Sequence, residues 1–84
     1  MESPEARPGL VLYYRENCHL CDSMRRQLAG FDDLGGAGWQ EVDIDRDPAL
    51  IMRFDALVPV LFFDGREICH HFLDRQALTT SLAL

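Results

Sequence analysis

Two cysteines, Cys18 and Cys21, are separated by two residues and could carry out thiol–disulfide exchange. The surrounding pattern predicts that a strand ends shortly before Cys18 and that a helix begins there. Residues three apart on a helix lie about 5–6 Å from each other on one face, and a disulfide needs roughly 4.4–6.8 Å between its Cα atoms. The pair could therefore form and break a disulfide with little movement of the backbone.

The two sulfur atoms are not expected to be equivalent. Cys18 would lie at the helix N-terminus, where unpaired N–H groups and the positive end of the helix dipole favour an anion. Its pKa should therefore fall below the free value of about 8.5, which makes Cys18 the nucleophile. Cys21, one turn further on, would be the buried thiol that resolves a mixed disulfide. Arg15 adds a positive charge near Cys18, and Asp22 opposes it.

Other interpretations of these side chains remain open. By type, Cys18, Cys21, Cys69 and His70 could form a zinc site. However, Cys69 falls on a predicted strand away from the pair and no second CxxC exists. We therefore expect no metal and interpret Cys69 as a small buried hydrophobe. His19 is either a solvated surface residue or, when protonated, a group that stabilises the Cys18 thiolate.

The length and charge of the chain limit the number of domains and the partners that we expect. The chain has 84 residues and a net charge of −6, with 14 acidic residues against eight basic ones, all arginine. This is one domain without a basic stripe, so we expect no binding to nucleic acid and no membrane association. Residues 1–9 resemble neither a signal peptide nor a membrane span and are expected to form a flexible leader to a domain of residues 10–84. The expected location is therefore cytoplasmic, where a close cysteine pair is more often catalytic or metal-binding than structural.

The first half of the domain predicts a strand, a helix, a second strand and a second helix. Leu10 to Tyr14 is a continuous apolar run, which is typical of a strand buried on both faces. Asn17 or Cys18 would cap the following helix, which ends near Gly30. Its apolar side is predicted from a helical spacing, and it comprises Leu20, Met24, Leu28 and Phe31. Residues 39–45 alternate as a strand, and Asp47-Pro48 begins a helix that runs to about Phe54.

The second half predicts a hairpin and a last helix. Residues 58–63 are apolar with Pro59 near the start, and Asp64-Gly65 is a strong signal for a tight turn into a strand from Arg66 to about Phe72. His70 and His71 would then face opposite sides of that strand. Asp74 would cap the final helix. The order is β-α-β-α-β-β-α, which indicates an α/β fold with a mixed four-stranded sheet and flanking helices.

With these elements in place, residues 10–84 resemble the glutaredoxin-like branch of the thioredoxin superfamily. The matching segments are Val11-Leu12-Tyr13-Tyr14-Arg15, Cys18-His19-Leu20-Cys21, Val42-Asp43-Ile44-Asp45, Val58-Pro59-Val60-Leu61 and Asp64-Gly65. The resemblance implies a thioredoxin-like fold in which Pro59 is cis and faces the cysteines. It also implies that the Val58 backbone pairs with a bound peptide or glutathione. Arg15 takes the place of a basic residue that glutaredoxins use near the thiolate.

Two departures from glutaredoxins bear on the substrate. His19-Leu20 replaces the usual Pro-Tyr, and the segment after the third strand lacks the Gly-Gly that holds glutathione. We expect a monomeric thiol–disulfide oxidoreductase without a bound cofactor. Its substrates would be disulfides in proteins or in small molecules. Its electron donor would be a reductase or, despite the missing Gly-Gly, glutathione. The alternative is a non-enzymatic thioredoxin-fold binding module with a redox-sensitive disulfide.

Overall fold

The fold is described from a computed structural model, for residues 3–31 and 38–82. Four strands and three α-helices follow the predicted order. The strands are β1 (Leu10–Tyr14), β2 (Gln40–Asp43), β3 (Val60–Phe63) and β4 (Arg66–His70), and the helices are α1 (His19–Ala29), α2 (Pro48–Phe54) and α3 (Arg75–Ser81). Two short 3-10 helices, Pro4–Ala6 and Ile44–Arg46, precede β1 and α2. Within the described residues, no helix is long and apolar enough to cross a membrane.

The four strands form one mixed sheet in the order β2-β1-β3-β4. β1 pairs in parallel with β2, and Tyr14 lies opposite Asp43. β1 pairs antiparallel with β3, with Tyr13 opposite Val60, and β3 pairs antiparallel with β4. The predicted α/β class and mixed four-stranded sheet are therefore confirmed.

The core consists of two apolar clusters, one on each face of the sheet. One cluster joins sheet residues to α2 and the 3-10 turn before it, and it comprises Val11, Tyr13, Ile44, Leu50, Phe54, Val60 and Phe62. The other joins the sheet to α1 and α3, and it comprises Leu10, Leu12, Met24, Leu28, Leu61 and Leu78. Because alternate residues of β1 enter opposite clusters, β1 is buried on both faces, as its unbroken apolar run predicts.

The buried side of α1 differs from the predicted one at its first turn. Cys21 is completely buried together with Met24 and Leu28, whereas Leu20 is 38% exposed. Positions 21, 24 and 28 follow the helical i, i+3, i+7 spacing, so they share one face and leave Leu20 beside it. The prediction of Leu20 on the buried side is therefore wrong, whereas the expected burial of Cys21 agrees with the structure, and Cys21 fills the first turn of the buried face.

Two strands are shorter than predicted, each for a local reason. β2 was expected to reach Asp45, but it ends at Asp43, whose side-chain Oδ1 accepts a hydrogen bond from the Asp45 N–H at 3.0 Å. That bond turns the chain into the 3-10 helix in competition with the ladder. β4 was expected to reach Phe72 but ends at His70, because His71 has a left-handed φ of 65°.

The start of α2 follows the predicted capping. Asp47 caps α2 by accepting from the Ala49 N–H at 3.0 Å, with Pro48 at the first helical position. Asp74 caps α3 in the same way, by accepting from the Ala77 N–H at 2.9 Å. The Gly35–Gly36 stretch, whose composition predicts a flexible turn after α1, lies outside the described residues.

Residues 3–9, part of the segment expected to be a flexible leader, contact α2 and the β3–β4 turn. Pro4 is buried, and the Glu5 carboxylate forms an ion pair with Arg53 of α2. The Gly9 N–H donates to Asp64 Oδ1 at 2.7 Å, and the Asp64 N–H donates to the Gly9 carbonyl at 3.0 Å. These contacts attach the segment before β1 to the opposite end of the sheet from the β1–α1 loop.

Candidate redox site

The strand register brings four parts of the chain to one end of the sheet. Tyr14, the last residue of β1, lies opposite Asp43, the last residue of β2. One residue beyond the Tyr13–Val60 pair, Pro59 comes beside Tyr14. The His71 N–H donates to the Pro59 carbonyl at 2.8 Å, so His71 lies next to Pro59 on the side away from Tyr14. The loop that leads from Tyr14 to the cysteines therefore leaves the sheet beside Pro59.

The cysteine pair lies where that loop enters α1. Asn17 has a left-handed φ of 58°, which turns the chain, and Cys18 is the N-cap of the helix. Cys18 and Cys21 form a disulfide, with 5.2 Å between their Cα atoms. Cys18 Sγ also accepts a hydrogen bond from the Cys21 N–H at 3.1 Å. A sulfur atom thus occupies the capping position that serine or aspartate oxygens usually fill.

The two cysteines differ in exposure. Cys18 is partly exposed, whereas Cys21 is completely buried against the sheet. In the reduced form, the N–H of Cys21 and the end of the helix dipole would favour a negative charge on Cys18. The Cys18 thiolate can therefore attack a disulfide, and in the oxidised form the Cys18 sulfur can be attacked by a thiol. Cys21 remains shielded from bulk solvent.

Val58 and Pro59 connect α2 to β3 at the same end of the sheet. The Val58–Pro59 peptide bond is cis, and Pro59 is buried. The Val58 N–H donates to the Phe54 carbonyl at 3.1 Å. A peptide bound at this segment would therefore meet the Val58 carbonyl as an acceptor, because the N–H already has a partner.

Arg15 is held by two carboxylates. Its guanidinium donates to Asp45 at 2.8–3.1 Å and to Asp55, which caps the C-terminus of α2. These hydrogen bonds raise the pKa of Arg15 above its ordinary value, and the bonds to Asp45 contribute more than the bond to Asp55. Contact between Arg15 and a substrate stays a prediction, since the described contacts tie its charge to the β2–α2 and α2–β3 connections.

Sequence reasoning missed Asp45 and Asp55 as partners of Arg15. A signal for Asp45 exists, because β1 and β2 are parallel and the residues just after each strand meet at the same edge of the sheet. Asp55 carries no comparable signal, because its position depends on how α2 packs across the sheet.

The other predicted residues occupy distinct surroundings. His19 is exposed at the first position of α1. Cys69 is partly buried on β4, and burial raises the pKa of its thiol. His70 is exposed with Nδ1 2.8 Å from Glu67 Oε2, whereas His71 lies beyond the strand with Nε2 2.8 Å from the Ala56 carbonyl. In residues 3–31 and 38–82, no three His, Cys, Asp or Glu side chains group closely enough to hold a metal ion.

Comparison with known proteins identifies relatives over nearly the whole chain. A family model described as a glutaredoxin-like domain (DUF836) matches residues 9–83. A protein from Nitrosomonas europaea with a solution NMR structure is 32% identical, with a TM-score of 0.75 and coverage of 95% of this chain and 96% of that one. A protein from X. campestris with an X-ray structure is 38% identical, with a TM-score of 0.70 and coverage of 89% and 96%.

A more distant structure supports the fold alone. Glutaredoxin C1 from populus tremula x tremuloides is 15% identical, with a TM-score of 0.58, and the match covers 94% of this chain and 78% of that one.

Proposed function

This chain belongs to the glutaredoxin-like (DUF836) family, and on that premise we propose that it is a thiol–disulfide oxidoreductase that works through Cys18 and Cys21. The observation that carries the proposal is the difference between the two sulfur positions. Cys18 caps a helix and is partly exposed, whereas Cys21 is completely buried one turn away. A nucleophile needs access and a stabilised thiolate, and a resolving thiol needs only to reach the first sulfur.

The proposed reaction transfers two electrons from the dithiol to a substrate disulfide. The Cys18 thiolate attacks one sulfur of the substrate, forms a mixed disulfide and releases the other sulfur as a thiolate that takes up a proton. The Cys21 thiol loses its proton to solvent and attacks Cys18 Sγ. This step forms the Cys18–Cys21 disulfide and releases the second substrate thiol. An external dithiol, or two glutathione molecules, would then reduce the protein again.

The substrate would bind beside Val58 and Pro59. This segment lies next to the end of β1, from which the loop to Cys18 departs, and the Val58 carbonyl can accept a hydrogen bond from a peptide N–H. Such backbone pairing tolerates many side chains, which suits the reduction of disulfides in proteins. The proposal places the protein in the cytoplasm, where reduced glutathione or a thioredoxin reductase can supply electrons.

The test is reduction of two substrates, insulin and a glutathione mixed disulfide, by the wild-type chain and three cysteine variants. Cys18→Ser should abolish reduction of both substrates. Cys21→Ser should accumulate a mixed disulfide with the substrate, because the resolving thiol is missing. Cys69→Ser is the matched control and should retain activity. If the wild-type chain reduces neither substrate with glutathione or a thioredoxin reductase as electron donor, the proposal is wrong and the non-enzymatic binding module is the remaining alternative.

A further inference from the structure

His71 lies outside the cysteine motif, yet two of its hydrogen bonds reach the substrate-facing segment. Its N–H donates to the Pro59 carbonyl at 2.8 Å, and its Nε2 lies 2.8 Å from the Ala56 carbonyl. A carbonyl oxygen only accepts hydrogen bonds, so Nε2 carries a hydrogen and donates. His71 therefore holds both ends of the connection between α2 and β3.

The backbone of His71 is adapted to this contact. Its φ of 65° is left-handed, a conformation that is uncommon for residues other than glycine and that asparagine, aspartate and histidine adopt more often than most. The turn ends β4 and directs the imidazole back across the sheet end towards Ala56. A histidine in this conformation is retained at a cost to the backbone, and such positions are concentrated at functional sites.

The connection that His71 holds is short, and it is also attached to the end of α2 and, through Asp55, to Arg15. The N–H groups of Leu57 and Val58 both donate to the Phe54 carbonyl, at 2.8 and 3.1 Å. These bonds fix where the connection leaves the helix. The bonds from His71 fix it from the β4 side, so the Val58 carbonyl is held between two supports.

We propose that His71 is a positioning residue that fixes the Val58–Pro59 backbone for substrate, an inference that rests on the proposed function. It acts through the hydrogen bonds to the Ala56 and Pro59 carbonyls and not on the substrate itself. Its loss should therefore weaken the binding of a peptide disulfide while leaving the chemistry of the Cys18–Cys21 couple unchanged.

Two substitutions separate the side-chain bond from the backbone turn. His71→Asn keeps the tolerance for a left-handed φ, but its amide nitrogen stands where Nδ1 stood and cannot reach the Ala56 carbonyl. His71→Gln places an amide N–H at the reach of Nε2 and can restore the bond. Arg66→Gln is the control, because Arg66 is exposed at the opposite end of β4, whereas the ring of His70 packs 4.9 Å from that of His71.

The first measurement is KM and kcat for reduction of a peptide disulfide. His71→Asn should raise KM about fivefold, which corresponds to one ordinary hydrogen bond, with kcat, Cys18 alkylation rate and reduction potential unchanged. His71→Gln should restore KM, and Arg66→Gln should leave it unchanged. Equal KM values for His71→Asn and His71→Gln, or a shifted potential in His71→Asn, would overturn the inference.

The second measurement does not depend on activity. Amide hydrogen exchange at Leu57 and Val58 should accelerate about fivefold in His71→Asn, while β1 amides remain unchanged. Unchanged exchange at both amides would show that His71 does not hold the connection. A wild-type chain that reduces no disulfide would refute the proposed function instead, and the exchange result would still decide the role of His71.

Discussion

Cys18, Cys21 and Cys69 illustrate how surroundings separate three chemically identical side chains. Cys18 is partly exposed, and its sulfur accepts a hydrogen bond from the Cys21 N–H. Cys21 is completely buried, and Cys69 is partly buried on β4. Burial disfavours a thiolate, whereas a helix N-terminus favours one. The three thiols should therefore react at different rates once the disulfide is reduced.

Reduced protein treated with a limiting alkylating agent at neutral pH should be labelled first at Cys18. Cys69 should follow more slowly, because burial raises the pKa of its thiol, and Cys21 should be labelled last because it is inaccessible. Mass spectrometry of peptides at successive times gives the order. Faster labelling of Cys69 than of Cys18 would contradict the assignment of the nucleophile.

His19 follows Cys18 at the exposed start of α1, where a protonated imidazole would stabilise the neighbouring thiolate. His19→Ala should raise the Cys18 pKa by up to about one unit at pH 6, equivalent to about 1.4 kcal/mol. Because only the reduced state carries the thiolate, the couple should become more reducing by up to about 30 mV, the full amount being reached where Cys18 is ionised. The checks are thiolate absorbance and equilibration with a glutathione buffer.

Two controls identify the charge as the cause of this effect. The difference between His19→Ala and the wild-type chain should be smaller at pH 8 than at pH 6, because a higher pH disfavours any imidazolium charge. Leu20→Ala, which removes the adjacent exposed side chain without a change of charge, should leave the potential unchanged at pH 6. Identical potentials of His19→Ala and the wild-type chain at pH 6 would show that His19 is a surface residue only.

Among the elements, the β3–β4 hairpin has the tightest local requirement. Both turn residues have left-handed φ values, 48° at Asp64 and 84° at Gly65, as expected for a two-residue hairpin. Asp64 also exchanges hydrogen bonds with Gly9. The turn is therefore closed on one side by the segment that precedes β1.

Gly65→Ala should destabilise the protein by at least about 1 kcal/mol, because alanine is unfavourable at a left-handed φ. A Cβ at this position would also lie 2.3 Å from the Glu5 carbonyl oxygen, which belongs to backbone. Gly30→Ala is the matched control: φ is −86° and the nearest atoms would be 3.7 Å away, so stability should stay equal or rise. Urea unfolding of both variants tests the contrast, and equal midpoints would contradict it.

Across the whole molecule, three arginines form ion pairs with several of the acidic side chains. Arg15 joins Asp45 and Asp55, and Arg53 joins Glu5. Arg25 similarly joins Glu41 of β2 and Asp22 within α1, at 2.9 Å each, and stacks 5.0 Å from the Tyr14 ring centre. Each cluster links segments that are distant along the chain.

The Glu5–Arg53 pair predicts a pH dependence of stability. The hydrogen bond from Arg53 lowers the pKa of Glu5 to about 2, below its ordinary value of 4.5. A carboxylate with a depressed pKa stabilises the folded state above pH 4.5 and loses this effect as the pH falls towards 2. The effect should be small and sensitive to salt, because both side chains are largely exposed.

Thermal midpoints of the wild-type chain and Glu5→Gln, measured between pH 2 and pH 6 at low salt, test this dependence. The wild-type midpoint should fall further than that of Glu5→Gln between pH 4.5 and pH 2. Arg53→Gln should reduce the dependence to the same extent, and the double variant should reduce it no further. Parallel profiles of the wild-type chain and Glu5→Gln would contradict the predicted contribution.

Local pattern was sufficient for the order of elements, the helix that begins at Cys18, the Asp47 and Asp74 caps and the Asp64-Gly65 turn. Apolar periodicity, capping residues and turn residues act over a few neighbouring positions, so they can be recognised before the chain is folded. Tertiary structure alone decided that Asp55 reaches Arg15, that Leu20 lies beside the buried face of α1, and that His71 holds the Val58–Pro59 connection. These features depend on which strand ends meet and how the helices pack across the sheet, and that geometry arises only when distant segments are brought together.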